Sequence, residues 1–171
     1  MNRATTDLFG LTHTNFLING LNAKWIIPQN AAPSKIILFA KISDVLTDSP
    51  KASDTYFTFA VLNSGIPALV IDYNFTLKER FSDALDNFKG AYDWLIEKGY
   101  EPSSIILACD SPGGCLTVGL QALLEGKGAS LPGGCLKLYP EENERALGYR
   151  AASYIDVGFD FLEMNGLRYK R

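Results

Sequence analysis

Histidine occurs once in the 171 residues, at position 13. Chemistry further along the chain that needs an imidazole base must reach back to His13 or do without one. Glycine is missing from the whole stretch between Ala31 and Ser64, which removes from that stretch the bare backbone that closes tightly around a ligand. No window approaches the ~18 uninterrupted apolar residues of a membrane span. The opening residues, Met1 to Asp7, lack the apolar block of a secretory signal. Cysteine is scarce and odd in number: Cys109, Cys115 and Cys135 lie beside apolar segments or glycines, without metal-ligand spacing to any histidine. They read as buried free thiols in a reducing, cytoplasmic setting, with neither a metal nor a cofactor expected. Sixteen Lys and Arg stand against nineteen Asp and Glu, for a net charge of −3. The basic residues are scattered apart from Arg168-Tyr169-Lys170-Arg171, which reads as a solvated end, so nucleic acid is not an expected partner.

What is present is a chain with 47% apolar and 20% charged residues, long enough for one domain over residues 1–171 with a core of its own. Residues 1–22 are mixed and polar and read as a loosely packed lead-in with one short strand near Phe16-Leu17-Ile18. Ala23 to Ile27, ending at Pro28, reads as an edge strand, and Ile36 to Ala40 as a buried one. Tyr56, Phe57, Phe59, Ala60 and Val61 suit a helix over 53–63, with Ser64-Gly65 as its stop. Ile66 to Ile71 is again continuously apolar. Phe81, Ala84, Leu85, Phe88, Ala91, Tyr92 and Leu95 recur at spacings of three and four, the stripe of an amphipathic helix that Gly99 ends. A strand over 105–108, a helix from Leu116 to Leu124 and a strand from Gly134 to Tyr139 follow. Strands alternating with helices imply crossover units on a mostly parallel sheet with helices on both faces, an α/β fold.

Six residues carry the chemistry. Cys109-Asp110-Ser111-Pro112-Gly113-Gly114 follow the apolar run Ile105-Ile106-Leu107-Ala108 and precede a helix. That strand, tight turn and helix are the context in which a serine becomes a candidate nucleophile. The same residues also count against ordinary catalysis, because Pro112 has no backbone N–H where an acyl-transfer site of this type needs an oxyanion donor. Proline in the first turn of a helix has a structural reading as well, since its missing donor costs no hydrogen bond there. It also biases Ser111 toward extended backbone, and Cys109 adds bulk where the motif has glycine.

From Val70 to Pro140 the pattern resembles the hormone-sensitive-lipase-like branch of the α/β-hydrolases, the fold-3 group. Ile71-Asp72-Tyr73 is similar to that family's strand end, Phe81 with Ala84-Leu85-Asp86 to its helix start, and Trp94-Leu95 to the tryptophan near the helix end. Ser104 to Gly114 resembles the nucleophile block, and Leu131-Pro132-Gly133-Gly134 through Pro140 the strand that follows it. The tail 149–171 resembles the variable segment of such esterases only faintly. The resemblance implies an incomplete α/β-hydrolase fold that lacks the C-terminal strands. It gives Ser111 the nucleophile's role, attacking an ester carbonyl to form an acyl-enzyme that water releases.

The resemblance also defines what is missing. A serine hydroxyl needs a histidine to take its proton and a carboxylate to orient that histidine, and the family places both after the serine. No histidine follows Ser111; His13 reads as incidental, and Asp156 and Asp160 as solvated. Where the family has oxyanion glycines, the chain has Ala40-Lys41-Ile42-Ser43-Asp44. The expectation is a carboxylesterase or lipase-like domain with little or no activity as this chain, a pseudoenzyme. A non-catalytic protein that binds a small apolar ester or other ligand, or acts as a scaffold, stays open beside it. So does a homodimer formed through an exposed sheet edge.

Overall fold

The computed structural model describes residues 4–31, 34–43, 51–74, 81–110 and 114–138. They form seven strands and three α-helices in the order β1 (Ala4–Thr6), β2 (Thr12–Ile18), β3 (Leu21–Ile27), β4 (Ile36–Ser43), α1 (Lys51–Ser64), β5 (Ala68–Asn74), α2 (Phe81–Glu97), β6 (Ile105–Asp110), α3 (Gly114–Gly126) and β7 (Gly134–Leu138). One sheet holds every strand, in the order β1-β2-β3-β5-β4-β6-β7. β5, β4, β6 and β7 run parallel, and β1, β2 and β3 add an antiparallel meander to the β5 side.

The parallel strands read as apolar runs because helices cover both their faces. Alternate residues divide between the two sides. Leu38, Ala40, Leu69, Ile71, Leu107 and Cys109 face the layer of α2 and α3, and Ile37, Phe39, Ala68, Val70, Ile106 and Ala108 face α1. Phe88 and Leu95 of α2 and Leu116 and Leu120 of α3 complete the first layer. Phe57 of α1 stacks on Phe39 of β4 in the second, with ring centroids 4.0 Å apart. The segregation follows from chain direction. From β4 the chain steps to β5 on one side, whereas β5 to β6 and β6 to β7 step the other way, and a right-handed crossover that reverses its advance must change faces.

Two expectations need correction. The Ala23–Ile27 strand is not at an edge: β3 lies between β2 and β5, and β5, not β3, neighbours β4. Residues 1–22 hold more than one short strand, because β1, β2 and the start of β3 fall within them. The first reflects the pairing of β3 with β5 on its other side, and both reflect a two-residue hairpin turn at Asn19-Gly20, with φ of 51° and 85°, the positive-φ pair that matches the twist of two antiparallel strands. It sets Ile18 opposite Leu21 and sends Ile18 into the core. Phe16, Trp25 and Trp94 then pack the meander onto α2, with ring centroids 5.7–6.3 Å apart. The strand expected to reach Tyr139 is described to Leu138, and Tyr139, Pro140 and the tail 149–171 lie outside the described residues.

At the far end of the sheet, the Gly133 amide donates to the carbonyls of Pro102 and Ile105 at 3.1 and 2.9 Å. A Cβ at this position would stand 2.1 Å from the Ser103 carbonyl oxygen. Gly133→Ala must therefore shift backbone, and we expect it to destabilise the protein by about 1–3 kcal/mol. Gly126→Ala, where a Cβ meets nothing within 4 Å, should be neutral or stabilising; thermal melts of the two variants measure the contrast. In α2 the Tyr92 hydroxyl is buried and has no hydrogen-bond partner among the described residues. Burial, with the Asp93 charge beside it, pushes the phenol up from its ordinary value. A buried unpaired hydroxyl costs free energy, so Tyr92→Phe should leave the melting temperature unchanged or raise it, and a clear fall would contradict the account.

Candidate functional site

The reversal of crossover direction puts a crevice at the carboxyl ends of β4 and β6. The chain leaves β4 toward the α1 side and leaves β6 toward the α3 side, and open α/β sheets bind ligands at such a point. β6 ends at Asp110 and α3 begins at Gly114, so the strand–turn–helix order read from the sequence is present. Ser111, Pro112 and Gly113 lie outside the described residues, as do Asp156 and Asp160. β6 reaches the crevice level with Ala40 of β4 and Lys137 of β7, both opposite Cys109.

Cys109, which stands where the motif has glycine, is buried on the α3 side. Its thiol donates to the Leu136 carbonyl at 3.9 Å, and the Thr117 hydroxyl of α3 lies 3.6 Å from its sulfur. Its bulk is thus accommodated beneath the helix that follows the turn. Cys109 and Cys135 are both buried and free of disulfides. Among the described residues, no three His, Cys, Asp or Glu side chains stand close enough together to hold a metal ion, and no helix is long and apolar enough to cross a membrane.

His13 lies elsewhere. Across the sheet it is level with Ile26, then Ala68, then Ile37, then Ile106, four strand spacings from β6 and on the row four residues before Asp110. At ~4.8 Å per strand and ~3.3 Å per residue, that puts it about 19 Å across the sheet and about 13 Å along it from the end of β6. Its imidazole is engaged where it stands: Nε2 lies 2.7 Å from Asp7 Oδ2. The other carboxylate oxygen, Asp7 Oδ1, accepts from the amides of Phe9 and Leu11, each at 2.9 Å. The pair closes the β1–β2 hairpin. Sequence reasoning missed it because only the hairpin brings residues 7 and 13 together; the Asn-Gly pair at 19 and 20 was the signal that an antiparallel meander begins the chain.

Burial on its own would raise the Asp7 carboxyl. The hydrogen bond from His13, those from the Leu11 and Phe9 amides and the charge of His13 outweigh it and hold the group below its ordinary value of 3.8. A carboxyl lowered by folding adds stability that is present above the unfolded value and is lost as pH falls through the folded one. Asp7→Asn should therefore destabilise the protein near neutral pH. The gap between variant and parent should close as pH drops below about 4, and melts across pH 3 to 7 read this directly. A gap that widened in acid would contradict the sign.

The model of the alpha/beta hydrolase fold family matches residues 45–160, more than half of the chain. The carboxylesterase/phospholipase LipF of Mycobacterium tuberculosis is 42% identical over 59 residues, which are 34% of this chain and 16% of LipF. The putative acetyl-hydrolase LipR of the same organism is 26% identical over 115 residues, 67% of this chain and 37% of LipR. Among solved structures, an esterase from the bacterial hormone-sensitive lipase family superposes with a TM-score of 0.69 at 26% identity, covering 80% of this chain and 46% of that one. The chain thus spans less than half the length of each of these proteins.

Proposed function

The chain belongs to the alpha/beta hydrolase fold family, among the hormone-sensitive-lipase-like esterases, and from that premise we propose that it carries the nucleophile's half of an ester hydrolase site. Ser111 is the nucleophile in this reading, held at the turn between β6 and α3, and Cys109, Asp110, Pro112, Gly113 and Gly114 form its elbow. The observation that supports it is topological: residue 111 directly follows the strand that ends at the switch crevice. In a nucleophile elbow, a serine between such a strand and a helix exposes its hydroxyl at the open end of the sheet, where an ester carbonyl can approach without crossing the core.

Hydrolysis by these residues alone is another matter. The one imidazole in the sequence is bonded to Asp7 on a strand far from β6. Loss of the triad histidine costs on the order of 10⁶ in kcat in the well-studied case, and each oxyanion donor roughly 10²–10³ more, though such losses do not add. Pro112 removes the amide that follows the nucleophile, and the stretch after β4 has no glycine. The reading is therefore a hydrolase-family domain with little or no turnover of its own, in a reducing compartment where its thiols stay free. A homodimer would form at the outer edge of β7, which no other strand pairs among the described residues. Ligand binding without turnover is the second reading, favoured by the engagement of His13 away from the crevice.

Purified protein and its Ser111→Ala variant should release nitrophenol from a short-acyl nitrophenyl ester at the same slow rate. A parent rate well above that of the variant would show that serine-dependent hydrolysis survives and would end the pseudoenzyme reading.

A further inference from the structure

The loop between β1 and β2, residues 7–11, presents large apolar side chains to solvent. Leu8 is 102% and Phe9 62% exposed, and Phe59 of α1, itself 44% exposed, lies beside Phe9 with ring centroids 6.3 Å apart. Leaving such groups in water is unfavourable, yet the loop is braced to hold them there. The Phe9 and Leu11 amides donate to Asp7 Oδ1, the Gly10 amide to the Asp7 carbonyl at 3.2 Å, and the Asp7 amide to the Leu11 carbonyl at 3.0 Å. Gly10 takes a φ of 79°, which keeps the turn tight. Asp7 is the one charged residue of the loop, and its other oxygen is engaged by His13. The tip thus carries exposed hydrocarbon over amides that are partnered within the loop and a carboxylate that is already paired.

These features restrict the partner. Internal bonding of the loop amides matters most in surroundings that offer no hydrogen bonds, because water would satisfy those amides anyway. The area is small for a protein contact: Leu8, Phe9 and Phe59 offer on the order of 400 Å², against about 800 Å² from each partner in a stable interface. A lipid surface needs no matching patch, since each apolar side chain that enters it gains separately. We propose that the Leu8-Phe9 tip inserts into the interfacial layer of a lipid membrane, with Phe59 beside it, as a shallow and reversible anchor. The chain's net charge of −3 gives it no overall attraction to anionic lipid, so zwitterionic lipid suffices. Thr12, where β2 leaves the loop, is level with Ile27, next to the row of Ile26, Ala68 and Ile37. The tip therefore stands at the amino end of the parallel strands, away from the crevice. The anchor does not depend on Ser111, so it goes beyond the hydrolase reading and stands or falls separately from it.

Co-sedimentation with phosphatidylcholine vesicles tests the proposal on the intact chain. A contact of two or three side chains is weaker than a single myristoyl anchor, whose association constant is about 10⁴ M⁻¹, so binding should appear at millimolar lipid. It should persist in about 0.5 M salt, where charge interactions are screened within a few ångström. Leu8→Ser and Phe9→Ser should each lower the partition coefficient about ten-fold, whereas Leu8→Trp should keep or raise it. Leu17→Ser, which removes another exposed leucine near the far end of β2, and Ser111→Ala should leave it unchanged. Absence of binding by the parent across the millimolar range overturns the proposal, as does parent-like binding by Leu8→Ser, whose site is too exposed for the change to disturb the fold. An equal loss in Leu17→Ser, or binding abolished by salt, would assign the contact to the general surface or to charge and also overturn it. So would a parent that is dimeric by sedimentation velocity and turns monomeric in Leu8→Ser, which would make the tip a contact between copies.

Discussion

β4 pairs in parallel with β5 on one side and β6 on the other, and this ladder constrains every other element. Because parallel neighbours need crossovers, and crossovers are right-handed, the direction in which the chain leaves each strand fixes which face its helix covers. α1 goes to one side, α2 and α3 to the other. The two faces can bury their alternating apolar side chains only with this division, and the crevice at the carboxyl ends of β4 and β6 is its by-product. The position after β6 is thus a consequence of sheet topology before any side chain contributes chemistry.

The antiparallel meander is a second layer of constraint with a local origin. Asn19-Gly20 turns the chain in two residues, and the register it sets carries Ile18 into the core, while the β1–β2 hairpin before it brings His13 to Asp7. The aromatic group of Phe16, Trp25 and Trp94, with the Lys98 ammonium 5.1 Å from the Trp94 ring, ties that meander to α2. The β2–β3 register turns Lys24 to the α1 side, opposite Asn15. α2 and α3 each end at a glycine of positive φ, Gly99 and Gly128. In each, the amides of that glycine and the next residue return to carbonyls of the last turn, which satisfies groups the helix leaves unpaired.

The parts of the fold legible in the sequence were those with strong periodicity. The stripe from Phe81 to Leu95 has the helical period and became α2, and the apolar runs at 36–40 and 105–108 became central strands that both faces bury. The meander was less legible, because its strands alternate only weakly and are half exposed. The apparent edge character of Ala23–Ile27 came from Pro28 at its end, whereas its neighbours β2 and β5 are set by a turn and a crossover far from that proline. The motif around Ser111 was read from short-range order alone, and the strand before it and the helix after it lie where that order requires.

The amino-acid sequence by itself determined the family pattern, the absence of an imidazole after the serine, the missing amide at Pro112 and the positions of the regular elements, because periodicity and residue chemistry are local properties. Only the tertiary structure decided that β5 inserts between β3 and β4, that His13 answers to Asp7 and not to the end of β6, and that Lys24 of β3 and Phe39 of β4 stand level across Val70 of β5. These depend on which strands become neighbours. That choice is made by handed crossovers and by the burial of whole faces, and no short stretch of residues encodes it.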